Sequence, residues 1–292
     1  MEYTMMNFLP PRPDIVETVR TALAEDVGSG DLTAQLIPAQ EWSTCRLISR
    51  ESAVICGCAW FEEVYHQLSD QVQIMWSIQE GQVVTPQQEL CQIKGPTRTL
   101  LTAERTAINF LQTLSGTATQ VRRYLDAVAG TQAVILDTRK TIPGLRHAQK
   151  CAVRCGGGTN HRMGLYDAFL IKENHIIAAG SIRQVVATAR QLAPHLPVQV
   201  EVETLEQIEE ALQVGVERLL LDNFSLPMLR QAVAQVRGRA KLEASGGVTL
   251  ETVRMIAETG VDFISVGTIT KDIKAIDLSM RMTTIESHFC EN

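Results

Sequence analysis

The sequence predicts an α/β protein in two parts, a small and mostly antiparallel sheet with helices, then parallel strands closed into a barrel. Three observations predict it. Between Arg46 and Lys94, short apolar runs are interrupted by Gly57, Gly81, Pro86 and Gly95-Pro96, the punctuation of hairpins. After Gly130 a short apolar strand, a polar residue at its C-terminal end and an amphipathic helix recur through six strands. All six strands end in chemistry-bearing side chains, whereas an open doubly wound sheet would concentrate them at one switch point.

The elements follow in order. Pro13-Asp14 opens a helix that runs through Glu25 with Ile15, Val16, Val19 and Leu23 as its apolar stripe, and Gly28-Ser29-Gly30-Asp31 ends it. Cys45 to Ile48, Val72 to Ile78, Val83-Val84 and Leu90 to Ile93 read as the strands of the small sheet, with a helix from Trp60 to Leu68 packed on it. A helix from about Thr99 to Leu114 joins the two parts, its Leu100, Leu101, Ala107, Ile108, Leu111 and Leu114 forming one face. The barrel strands are Ala133 to Leu136, Ala168 to Ile171, Val198 to Val202, Arg218 to Leu221, Lys241 to Ala244 and Asp262 to Val266. Intervening helices include Ile182 to Leu192, Leu205 to Val214, Pro227 to Val236 and Leu250 to Thr259. The domains expected are 1–114 and 115–275, with 276–292 packing back on the first.

Composition bounds the function classes. A chain of 292 residues, 45% hydrophobic and 21% charged, is an ordinary globular one. No apolar run is long enough to span a bilayer, and the first residues lack the basic-then-apolar order of a secretion signal, so a cytoplasmic protein is expected. Seven cysteines, an odd number in mostly apolar company, read as free buried thiols of a reducing compartment. Cys151 and Cys155 are spaced to share a helix face, but no second ligand pair follows at zinc spacing, so a structural metal is not expected.

Charge is concentrated between Asp137 and His175. Seven Lys and Arg residues there face only Asp137, Asp167 and Glu173, a local charge of +4 in a chain of −6. With Gly156-Gly157-Gly158 and three histidines inside it, the segment suggests a pocket for a small, multiply anionic ligand rather than a nucleic-acid surface. The strand ends supply Asp137, Arg139 and Lys140, then Lys172, Glu173 and Asn174, then Glu201 and Glu203, Asp222 and Asn223, Glu243 and Ser245, and finally Ser265 and Gly267. In a barrel they converge at one mouth. Ser245-Gly246-Gly247 and Gly267, at the last two strands, suit a phosphate. Glu201 and Asp222 offer hard oxygens for Mg²⁺ or hydrogen bonds to sugar hydroxyls. Arg139, Lys140, His161, Arg162 and Lys172 remain for a small di- or tricarboxylate.

Several blocks then become familiar: LTAERTAINFLQTLSGTAT (101–119), ILDTRKTIPGLRHAQKCAVRCGGGTNHRMGLYDAFLIKENH (135–175), EVE (201–203), LLLDN (219–223), LEASGGV (242–248) and SVGTITK (265–271). Through them the chain resembles the quinolinate phosphoribosyltransferases over nearly its whole length. The resemblance implies an N-terminal α/β sandwich, a C-terminal α/β barrel, a homodimer or an assembly of dimers, and Mg²⁺-dependent reaction of quinolinate with phosphoribosyl pyrophosphate. It implies Arg105 reaching the active site of the neighbouring subunit, with Arg139, His161, Arg162 and Lys172 around the quinolinate carboxylates and Lys140 near both substrates. It also implies Glu201 and Asp222 facing ribose and metal, and Ser245, Gly246, Gly247 and Gly267 holding phosphate. The catalytic set is then Lys140, Lys172, Glu201 and Asp222. Many members carry His-Ser where this chain has Lys271-Asp272, which keeps a cation at Lys271 for phosphate. Two rival readings are a Schiff-base lyase built on Lys172 and a molybdenum-associated relative of the same fold with altered specificity. The intact Arg139-Lys140 and His161-Arg162 pairs argue against the second.

Overall fold

The computed structural model describes residues 10–283. These residues form two compact units, one of 10–120, 143–156 and 273–283 and the other of 121–142 and 157–272. Residues 143–156, which the sequence assigns to the barrel, thus belong with the first unit. The reason is the amphipathic helix they contain, whose Ala148, Cys151 and Ala152 are buried in that unit's core.

The first unit holds a four-stranded antiparallel sheet and a separate two-stranded one, with helices. Its elements are α1 (Arg12–Val27), β1 (Trp42–Ser49), β2 (Ala53–Val54), α2 (Cys58–Leu68), β3 (Gln73–Trp76), β4 (Val83–Val84), β5 (Glu89–Pro96) and most of α3 (Thr97–Ala127). Ser43, Cys45, Leu47 and Ser49 of β1 are buried while the residues between them are not, the two-residue alternation of a sheet with one covered face. Trp60, Phe61, Val64 and Tyr65 of α2 and Ile15, Val19 and Leu23 of α1 supply the cover. Phe61 anchors it with ring centroids 5.2 Å from Tyr65 and 5.4 Å from Trp76.

The joining helix runs past Leu114, where the sequence predicts it to stop. Ser115, Gly116, Thr117 and Thr119 are weak helix formers. Their helical state is supported from outside the helix: Ser115 Oγ accepts the Cys56 N–H at 2.9 Å and donates to the Cys56 carbonyl at 3.1 Å, and Thr119 Oγ1 accepts the Val54 N–H at 2.8 Å. Gly116 lets the chain after the barrel pass close, since a Cβ there would lie 2.3 Å from the Lys274 carbonyl oxygen.

The second unit contains β6 (Val134–Leu136), β7 (Phe169–Ile171), α5 (Glu173–Ala179), α6 (Ile182–Leu192), β8 (Val198–Val202), α7 (Leu205–Gln213), β9 (Arg218–Asp222), α8 (Leu226–Val236), β10 (Lys241–Ser245), α9 (Val253–Ala257), β11 (Phe263–Ser265) and α10 (Thr268–Lys271). The helix before β7, α4 (Arg146–Cys155), is the one that joins the first unit. All strand pairings in this six-stranded sheet are parallel, in the order β6-β11-β10-β9-β8-β7. Read as a ring, that is chain order, the signature of a barrel with its seam between β6 and β7. Thr159 lies against β6, bridging to Leu136 and exchanging backbone bonds with Ile135 and Asp137 at 3.0 and 3.2 Å. Leu219, Leu220 and Leu221 are all buried, as a parallel strand covered on both faces requires.

The sequence did not announce α5, because Lys172-Glu173-Asn174-His175 reads as a strand-end cluster. The helix is started by His175, whose Nδ1 accepts the Lys172 N–H at 3.0 Å. The last strand of the protein, β12 (Leu278–Thr283), pairs antiparallel with β1. The remainder of the segment expected to pack back, and Cys290, lie outside the described residues.

Candidate active site

Each barrel strand delivers side chains to one cavity of about 270 Å³. After β6 come Thr138, Arg139 and Lys140, from the loop before β7 come His161 and Arg162, and from β7 and its end come Leu170 and Lys172. The others give Glu201 from β8, Leu220 and Asp222 from β9, Glu243 and Ser245 from β10, and Ser265 from β11. In parallel βα units the C-terminal strand ends share one face, so residues remote in sequence become neighbours there.

Opposite charges meet in this hollow. Lys172 Nζ lies 2.6 Å from Glu201 Oε2. Asp222 Oδ2 accepts from Asn223 Nδ2 at 2.8 Å. Arg162 Nη1 donates to the Ala168 carbonyl at 3.2 Å, and partial burial, followed by the neighbouring Arg139 charge, lowers its pKa against the opposing pull of Asp167. Two neighbouring guanidinium groups on one half-buried wall favour an anion there.

The loop carrying His161 and Arg162 is held from below. Buried Asp137 accepts the His161 N–H at 2.8 Å and Asn160 Nδ2 at 2.6 Å. Asp167 accepts the Met163 and Gly164 N–H groups at 2.6 and 3.0 Å. His161 Nδ1 accepts the Arg162 N–H at 2.7 Å, and its Nε2 faces Glu243 Oε1 at 3.4 Å.

Glu243 is the residue that sequence reading undervalued. It falls among the strand ends without a site role in the sequence, yet it is wholly buried and lines the cavity. Its Oε2 accepts Gln199 Nε2 at 2.6 Å and Arg218 Nε and Nη2 at 3.0 and 2.7 Å, while Oε1 accepts Ser265 Oγ. Burial alone would raise its pKa. The hydrogen bond and charge of His161, the charge of Arg218 and the Ser265 hydrogen bond outweigh burial and hold the carboxyl at about 2. A glutamate set between Leu242 and Ala244 in a strand expected to be buried is the available signal. Thr138, Leu170, Leu220 and Ser265 also line the cavity without having been singled out as site residues.

Of the residues proposed from sequence, Arg139, Lys140, His161, Arg162, Lys172, Glu201, Asp222 and Ser245 line the cavity. Gly246, Gly247, Gly267, Lys271 and Arg105 do not. Gly267 abuts Lys140, whose Cδ would be 3.0 Å from an added Cβ. Gly246, at φ +99°, packs so tightly on Asn223 that a Cβ would meet Oδ1 at 2.1 Å. Lys271 is half exposed on α10, 3.9 Å from Asp272. Arg105 is exposed on α3 in the first unit. The Schiff-base alternative loses its footing, because Lys172 is half exposed and ion-paired rather than a desolvated amine.

Comparison with known proteins agrees with this architecture. Residues 31–115 match the quinolinate phosphoribosyl transferase N-terminal domain and residues 117–281 its C-terminal domain. The chain is 39% identical to a probable nicotinate-nucleotide pyrophosphorylase [carboxylating] of Bacillus subtilis, over 89% of this chain and 90% of that one. It is 41% identical to the Mycobacterium leprae nicotinate-nucleotide pyrophosphorylase [carboxylating], over 90% and 95%. The solved nicotinate-nucleotide pyrophosphorylase structure from Francisella tularensis superposes with a TM-score of 0.92 at 46% identity, covering 94% of this chain and 98% of the other. Two matched domains in order, over a barrel whose strand ends gather the same opposed charges that the sequence blocks foretell, make this chain a member of the quinolinate phosphoribosyl transferase family.

Proposed function

We propose that the protein joins quinolinate to phosphoribosyl pyrophosphate with loss of CO₂, giving nicotinate mononucleotide and pyrophosphate for NAD synthesis. One observation carries the reading: Arg139, Arg162 and Lys172 share a single cavity with Glu201 and Asp222. The cations suit the two carboxylates of an acidic pyridine, and the carboxylates suit a sugar carbon that turns electron-poor.

The quinolinate ring nitrogen attacks C1′ of the ribose, and the C1′–O bond breaks with its electron pair leaving on pyrophosphate. Positive charge develops on the ribose, where fixed carboxylates favour it. When the adjacent carboxylate then departs as CO₂, its electron pair stays on the ring carbon beside the pyridinium nitrogen, whose positive charge stabilises it until a proton from solvent adds there to give nicotinate mononucleotide. The ring is thus its own electron sink, and the reaction calls for no organic cofactor. Lys172 and Glu201 neutralise each other before substrates enter, the amine set to meet the acid and the carboxylate the sugar.

Glu201 and Asp222 are a hard-oxygen pair of the kind that holds Mg²⁺ together with substrate phosphates. Each is anchored through one oxygen, to Lys172 and Asn223 respectively, which leaves the other as the donor atom. Mg²⁺, when bound, offsets charge on the leaving pyrophosphate. The cavity lies near the small end for a ligand site, so the phosphates run outward over Ser245, Gly246, Gly247 and Gly267, with Lys140 between the two substrates and Lys271 at the outer edge. Arg105 completes the site of a second copy in a homodimer. The free buried thiols accord with a cytoplasmic setting.

The test is incubation with quinolinate, phosphoribosyl pyrophosphate and Mg²⁺, with nicotinate as control acceptor. Release of CO₂ and nicotinate mononucleotide from quinolinate alone is expected; turnover of nicotinate in its place would reject the assignment.

A further inference from the structure

A cluster of donors in the first unit has no part in phosphoribosyl transfer. Cys56 precedes α2, Glu80 precedes β4 and Cys155 ends α4, yet their two sulfurs and a carboxylate oxygen all lie within 4.8 Å of one another. Tetrahedral zinc spaces its thiolate and carboxylate donors roughly 3.3 to 3.8 Å apart, so closure on an ion needs only a small inward movement. The sequence could not show this set, because its ligands come from three separated segments rather than from paired motifs.

The donors are held in place. Glu80 Oε1 accepts the Gly57 N–H at 2.6 Å and Oε2 the Cys58 N–H at 3.1 Å, and backbone bonds of this kind orient ligating carboxylates while leaving each oxygen a further lone pair. Cys155 donates to the Ile55 carbonyl at 3.6 Å. Cys56 is fully buried, while Glu80 and Cys155 are half-buried and give an ion its way in. Capping of α2 accounts for the two amide bonds of Glu80, but it supplies no reason for two sulfurs to converge on its oxygens.

We propose that Cys56, Glu80 and Cys155 bind one thiophilic divalent cation of the zinc class. The two thiols release their protons to solvent as the metal–sulfur bonds form, no electrons are exchanged, and water from the open side takes the fourth position. Cys151, hydrogen-bonded to the Cys56 sulfur, stands outside the donor set.

The experiment titrates the full-length, reduced protein with Co²⁺. A near-ultraviolet thiolate-to-metal band saturating at one ion per chain is expected, abolished by Zn²⁺ and untouched by excess Mg²⁺. Cys155→Ser should weaken binding by about 100-fold or more, whereas Cys45→Ser should leave it unchanged. Absence of the band in wild-type protein overturns the proposal, as does its persistence in both Cys56→Ser and Cys155→Ser. Hard oxygen ligands such as Glu201 and Asp222 give no thiolate band, so the result is independent of the catalytic reading.

Discussion

Glu243 shows how one side chain serves both stability and the site. Its carboxyl is held at about 2 against an ordinary 4.5, so the stability it contributes is complete above about pH 4.5 and is lost as the pH falls toward 2. Glu243→Gln removes the charge that Arg218 and His161 face, and we expect a loss of about 3 kcal/mol at neutral pH. The acid limb of stability should flatten with it. Urea midpoints followed from neutral pH into the acid range check this; a mutant curve parallel to wild type would refute it. The same substitution frees the His161 ring, so the Michaelis constant for quinolinate should rise even where the fold survives. Lys172 lines the same cavity and contributes charge rather than packing. Lys172→Ala should lower kcat/KM for quinolinate by about 100-fold or more with the circular dichroism spectrum unchanged, and Lys172→Arg should not restore it, because a planar fork cannot replace a compact ammonium 2.6 Å from Glu201. The charge excess of the 137–175 segment made these cations legible as a set. What that excess could not reveal is that Lys172 pairs with Glu201, or that Glu243 lies beneath them all.

Among the elements, α3 departs furthest from local preference. A glycine inside a helix ordinarily costs about 1 kcal/mol relative to alanine, so Gly116→Ala would be stabilising on propensity alone. Here the new Cβ would meet the Lys274 carbonyl oxygen at 2.3 Å, and backbone on both sides leaves no flexible side chain to yield. We therefore expect Gly116→Ala to destabilise the protein by about 2 kcal/mol, read as a lower thermal midpoint. The sequence ends this helix at Leu114 because serine, glycine and threonine follow. The structure carries it on because Ser115 and Thr119 meet backbone groups of Cys56 and Val54 that need partners. By contrast α6 (Ile182–Leu192) has the bounds the sequence predicts, its Ser181 hydroxyl accepting the Gln184 N–H at 3.2 Å and Ile182, Val186 and Ala189 buried in one stripe. Local signals suffice where a helix carries its own cap and lies on a barrel.

At the scale of the whole molecule, the proposed function requires Arg105 to serve a site in a second copy. Mixing Arg105→Ala with Lys140→Ala protein, each inactive alone, should restore about a quarter of wild-type activity through hybrid dimers with one intact site; no recovery despite demonstrated subunit exchange would exclude a shared site. Among the described residues no helix is long and apolar enough to cross a membrane. The sequence by itself determined the six barrel strands and most of the helices between them, the two-part plan, the cationic segment and the family, because hydrophobic periodicity, turn residues and motif spacing are written along the chain. Only the tertiary structure decided that residues 143–156 leave the barrel unit, that Glu243 supports His161 and Arg218, that Lys172 meets Glu201, and that two cysteines converge on Glu80. Each of these is a contact between segments remote in sequence. Such contacts are chosen by burial and by the pairing of desolvated charge, which come into being only when the chain has closed around them.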